Sequence, residues 1–197
     1  MLPAVTHAAA DPGDLGDYQP LASEATGPLR LVERAVAERE HARLMAARPA
    51  RAAALAALAR RHGVDLADAD AAVDDVTAAL GRWLVAAGAA VGPAALTGAD
   101  GARWTGLAVD VALWLGDRIV ARAAAAGGGL RWELYTGVKK STGYQRAVLT
   151  GFRRVDDPRY YVDVAHFVAG WLELALRRRP ARPDFLAVIE ATTLADA

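Results

Sequence analysis

The segment from Gly101 to Phe152 constrains the fold more than any other part of the chain. It opens with WTGLAVDVALWLGDRIVARAAAA, a run that is apolar nearly all round. On a helical wheel Trp104, Leu107, Ala108, Val111 and Leu115 fall together, while Val109, Leu113 and Val120 fall on the opposite side. A helix apolar on two sides belongs in the middle of a protein. The spacing predicts a helix from Ala102 to Ala126, ended by Gly127, Gly128 and Gly129. Beyond it Leu130, Trp132 and Leu134 alternate with Arg131, Glu133 and Tyr135, the period-two pattern of a half-buried strand. A second strand, Tyr144 to Gly151, follows through TGVKKSTG, a connection longer than the tight two-residue hairpins.

Around this unit the pattern is helical. Residues 1–27 mix Pro, Gly, Asp and Ser without apolar periodicity and read as an arm, ordered where Leu15, Tyr18 and Leu21 dock. Residues 28–197 read as one domain. A first helix is expected from Pro28 to Ala47 on the surface, with Pro49 breaking the chain before a short helix through Leu55 and Leu58 that stops at Gly63. A third helix is expected from Leu66 to Ala87, capped by Asp65 or Asp68, with Asp70, Asp74 and Asp75 adding acid to its first half. Residues 88–100 read as a Gly/Pro connection. A fifth helix spans Asp163 to Arg178, and the tail PDFLAVIEATTL is open between a last helix and a third strand. The expected fold class is α+β, predominantly helical, with about five helices and a small antiparallel hairpin or sheet.

Composition narrows the chemistry. Charges balance at 23 Lys and Arg against 23 Asp and Glu, which argues against a globally basic nucleic-acid binder. Cysteine is absent, which removes disulfides, thiolate metal ligands and thiol nucleophiles. The start MLPAVTHAAADPGD has no basic region followed by a long apolar run, and Asp110 and Asp117 interrupt the most apolar stretch. The expectation is a cytoplasmic protein with no membrane span. Phosphate-binding glycine motifs, HExxH, EF-hand loops and GxSxG are absent, so no cofactor is expected. Glu38 with His41, and Asp163 with His166, have the ExxH-type spacing of di-metal bundles. One pair has Asp in place of Glu and the other lies on a highly charged helix, so no metal site is expected.

Two regions remain as candidate sites. Arg103, Asp110 and Asp117 recur every seven residues with Trp114 beside them, and His166, Gly170, Glu173 and Arg177 form a second polar stripe. If the stripes line one crevice, Asp110, Asp117, His166 and Glu173 are the candidates for acid–base work or for binding a polar ligand; otherwise each stripe is a helix edge facing water. The second region is the hairpin. Residues 131–159 carry seven basic and three acidic side chains with aromatics interleaved. Trp132, Tyr135, Lys139, Lys140, Tyr144 and Arg146 are the candidate partner-binding residues, since aromatics and arginines anchor protein interfaces. The same composition is compatible with stacking on single-stranded nucleic acid, and the acidic helix start with the basic hairpin allows head-to-tail homo-oligomers.

The helix–hairpin unit, with WLGDRIV, RWELYTG and YQRAVLTGF, resembles a unit of small uncharacterised bacterial α+β proteins, some encoded beside toxins as immunity factors. The resemblance covers about a quarter of the chain. It implies a binding role and transfers no site residue. The expected function is therefore a bacterial protein-interaction module of immunity or accessory type. The alternatives are an enzyme or small-ligand protein using the two stripes, and a nucleic-acid accessory protein.

Overall fold

The computed structural model describes residues 11–67 and 73–197. Among them run five helices and one hairpin: α1 (Arg34–Arg61), α2 (Val73–Val91), α3 (Gly98–Ala125), β1 (Arg131–Leu134), β2 (Ala147–Thr150), α4 (Val164–Leu176) and α5 (Phe185–Ala195). Short 3-10 turns at Leu29–Leu31 and Pro93–Leu96 precede α1 and α3. The fold is predominantly helical α+β. Its centre is α3, as its apolar wheel requires. It packs against α1, α4 and α5, and Leu107, Val111, Leu115 and Ile119 are wholly buried along it.

The hairpin is antiparallel with Trp132 opposite Leu149 and Leu134 opposite Ala147. An isolated antiparallel bridge also joins Leu149 to Val162. The Trp132 ring of β1 lies against α3 at Gly116. A Cβ on Gly116 would come within 2.1 Å of Trp132 Cζ2, so the glycine lets the indole lie against the helix backbone. The indole N–H then donates to Asp117 Oδ1 at 2.8 Å.

Several expectations need correction. Pro49 does not break the first helix: α1 continues through it to Arg61. Proline removes the amide that would bond to Met45, and the freed carbonyl accepts Arg48 Nε at 3.4 Å instead. The alanine-rich run beyond propagates well, and Leu55, Leu58 and Ala59 anchor it in the core. The half expected on the surface buries only Ala37 and Glu40, whereas the continuation past Pro49 enters the core. The start of α1 is later than expected, because Pro28 opens only a 3-10 turn. The stretch 88–100 is mostly helical, with α2 reaching Val91 and α3 starting at Gly98. Gly88 is a point of close approach rather than a stop, since a Cβ there would lie 2.9 Å from the Ala175 Cβ of α4.

The second strand covers only Ala147–Thr150, because Gln145 has φ +60° and turns the chain out of extended conformation. The undecided tail is a helix. Leu186, Ile189, Glu190 and Thr193 are buried at i, i+3, i+4 and i+7, and Glu190 receives Arg118 Nε and Arg122 Nη1 of α3, each at 2.9 Å. In the acidic stretch, Asp65 accepts the Ala67 amide at 3.0 Å in a turn; Asp68, Asp70 and the side chains of Asp74 and Asp75 lie outside the described residues.

Two glycines in helices should respond oppositely to alanine. Gly116→Ala pushes the Trp132 ring off α3 and should cost about 1–3 kcal/mol. Gly170→Ala meets nothing within 4 Å at an exposed position of α4 and should stabilise by about 0.5–1 kcal/mol. Urea denaturation of the two variants beside the parent checks both signs.

Candidate functional site

The seven-residue polar stripe of α3 is real, and it faces other parts of the chain, with Asp110 buried at its middle. Each rung takes a different part of the chain. Arg103 donates to the arm carbonyls of Gly16 (2.6 Å) and Tyr18 (3.2 Å). Asp110, 1% exposed, receives Arg51 Nε of α1 at 2.9 Å and the Tyr18 hydroxyl at 2.8 Å. Asp117 receives Arg48 of α1 at 2.6 Å as well as the Trp132 indole. Burial, and then the Asp110 carboxylate, push the Tyr18 phenol far above its usual range, so it stays a donor. The Arg51 guanidinium also stacks over the Tyr18 ring, 5.3 Å from its centroid.

These ties hold α1 and the arm against α3 beside the small residues Ala37 of α1 and Ala102 and Gly106 of α3. On α1, Ala37, Glu40, His41 and Leu44 share one face at i, i+3, i+4 and i+7. On α3, Ala102, Thr105, Gly106 and Val109 face them. The result is a cavity of about 450 Å³, closed by Leu134 and Ala147 of the hairpin and by arm residues 20–23. The arm crosses closely at Gly106, where a Cβ would meet Pro20 Cβ at 2.3 Å.

The polar lining is concentrated on α1. Glu40 is buried yet accepts Arg43 Nη2 (2.6 Å), the Glu24 amide (2.7 Å) and the Ser23 hydroxyl (3.1 Å). Burial alone would raise its carboxyl, but the hydrogen bonds from Arg43, Glu24 and Ser23 outweigh it and hold the group below the usual carboxylate range. His41 is pushed down by burial first and by the nearby Arg48 charge second, against a smaller opposing pull from Glu133. His41 Nδ1 and Arg43 Nε are buried without a hydrogen-bond partner. A polar ligand atom could satisfy either.

The residues singled out by sequence are distributed differently. Asp110 lines this cavity, His166 lines a second and Glu173 a third, while Asp117 is taken up by Arg48 and Trp132. The two stripes do not form one crevice. Glu173 pairs with Arg177 on the exposed side of α4 at 2.7 Å. Glu38 pairs with Arg34, and Asp163 caps α4 by accepting the His166 amide. Among the described residues no group of three acidic or histidine side chains is placed to hold a metal, and no helix is long and apolar enough to cross a membrane.

In the hairpin, Tyr135 is buried against Tyr161 with ring centroids 4.2 Å apart, and Trp132 lies against α3. Arg146 pairs with Asp163 at 3.0 Å and Tyr144 is half-buried, which leaves Lys139 and Lys140 exposed. Glu40, Arg43 and Gln145 were not singled out from sequence. The i, i+3, i+4, i+7 face through Ala37, Glu40, His41 and Leu44 was readable there, but its charges resembled a solvated surface. No family model matches the chain, and neither does any curated protein or solved structure.

The depressed His41 has a pH signature. Its folded value lies below the ordinary ~6.5, so the unfolded chain takes up the proton first as pH falls. The associated stability is full above ~6.5 and is lost on acidification towards the folded value. Urea midpoints measured from pH 7.5 to 5 should therefore decline, and His41→Gln should flatten that decline.

Proposed function

We propose that the protein binds a small, mostly apolar molecule with one hydrogen-bonding end in the cavity between α1, α3, the hairpin and the arm. The observation that carries this reading is the pairing of an apolar space with unmet polar atoms. The cavity, about 450 Å³, lies within the ~300–1,000 Å³ of small-molecule sites. His41 Nδ1 and Arg43 Nε supply the polar contacts that orient a ligand. The small side chains Ala37, Ala102 and Gly106 keep the space open, whereas close packing would favour larger ones.

An uncharged environment-sensitive fluorophore, N-phenylnaphthylamine, tests this directly. Saturable binding is expected, and Ala37→Leu should weaken it by about tenfold or more, equivalent to ~1.4 kcal/mol. Because leucine fills apolar space, the variant's Tm should hold or rise. Unsaturable fluorescence, or unchanged affinity in a folded Ala37→Leu, overturns the reading.

A second reading, a bacterial interaction module of immunity or accessory type, is supported by the loop 136–142. There Val138 is 41% exposed and is followed by exposed Lys139 and Lys140. An apolar side chain beside two cations suits an acidic partner surface. Affinity capture from the host should return one stoichiometric protein, lost when Lys139 and Lys140 are both changed to Glu. Capture that survives the double change removes the loop from consideration.

A further inference from the structure

A second cavity, of about 350 Å³, lies on the other side of the 3-10 turn Leu29–Leu31. Its lining is Pro28, Leu29, Arg30, Thr142, Arg146 and His166. Two guanidinium groups, an imidazole and a hydroxyl thus converge from three separate segments: the turn before α1, the hairpin loop and the first turn of α4. No carboxylate is in that lining. We propose that this cavity is a binding site for a phosphoryl group, as inorganic phosphate or a small phosphate monoester.

Asp163, a buried acid beside this lining, has a hydrogen bond at one oxygen only, and its other oxygen is offset by an ion pair. Oδ1 accepts the His166 amide at 2.9 Å, and Oδ2 lies 3.0 Å from Arg146 Nε. That pairing fixes Arg146 through Nε and leaves its terminal nitrogens, since a guanidinium carries five N–H donors. Among the described residues Arg30 has no ion-pair or hydrogen-bond partner. The carbonyls of Leu29 and Val32, which would repel an anion, are taken by Gln145 Nε2 at 2.6 and 3.0 Å.

Gln145 does this from a left-handed backbone, φ +60°, a conformation that costs a non-glycine residue on the order of 1 kcal/mol. Glycine would avoid that cost and would lose the amide. Gln145 is 2% exposed, and its side chain clamps the turn that carries Arg30 beside its own neighbour Arg146. The clamp therefore ties the turn that carries Arg30 to the segment that carries Arg146. Paired guanidiniums with a hydroxyl match the several acceptor oxygens of a tetrahedral phosphoryl group better than the two of a carboxylate.

This site shares Leu29 with the apolar cavity but does not depend on a ligand there. Titration of the full chain with inorganic phosphate, followed by amide NMR, tests it, with sodium acetate at matched ionic strength as the comparison. Saturable shifts at the amides of Arg30, Thr142, Arg146 and His166 are expected. Arg30→Ala and His166→Ala should each weaken phosphate at least about fivefold (~1 kcal/mol). Both residues are exposed, so both variants should fold with an unchanged Tm. Arg179→Ala removes an exposed charge elsewhere and should leave the affinity as it is. Ala37→Leu should also leave it intact, which separates failure of this site from failure of the apolar cavity. The proposal is overturned by absent or unsaturable shifts, by equal shifts with acetate, or by equal weakening in Arg179→Ala.

Discussion

A carboxylate in the middle of the most apolar helix costs several kcal/mol in lost hydration unless charged and polar donors replace the water. Asp110 meets that requirement with Arg51 from α1 and Tyr18 from the arm, and the requirement organises one whole side of the molecule. Arg51 must be held at the α1–α3 contact, so α1 has to run unbroken past Pro49 to present it. Tyr18 must be buried there, so the arm has to cross α3 and cannot hang free. Between these fixed points Ala37, Ala102 and Gly106 leave room between the helices, and the space they fail to fill is the apolar cavity. The cavity is thus a by-product of where the polar ties were placed, one helical turn or two from the small residues.

What was legible in the sequence followed from periodicity, and what was missed followed from context. The central helix, the hairpin and the Asp163-capped helix could be read because their apolar spacing has a single solution. The tail was equally periodic through Leu186, Ile189 and Thr193, but a buried Glu190 interrupts the apolar face and conceals it. Pro49 and Gly88 were misread for a common reason. Local chemistry assigns them as breakers, whereas a side chain supplying the lost partner, or a neighbouring helix needing the room, keeps the helix intact.

The polar stripes show the same limit in the candidate sites. Spacing alone placed Arg103, Asp110 and Asp117 on one line, correctly. It carried no information on whether that line faced water, a crevice or another helix. Conversely, Glu40 and His41 sit among so many charges that their burial beneath the arm had no sequence signature. The cationic cavity was less visible still, since Arg30, Arg146 and His166 come together only through the fold.

The arm is held in an unusual grammar. Arg103, Arg61, Arg51, Trp83 and His62 reach it almost entirely through its carbonyls, at Gly16, Tyr18, Leu15, Gln19, Pro12 and Asp14. Carbonyls are common to every amino acid. Most arm positions can therefore drift in sequence without loosening their attachment, and the information that keeps the arm in place is written in the helices that receive it. Its own obligatory letters reduce to the buried Leu15 and Tyr18 and to Gly13 and Gly16, where a Cβ would strike Val91 and Arg61. Selection on this segment is then free to act on what the arm covers rather than on how it is held.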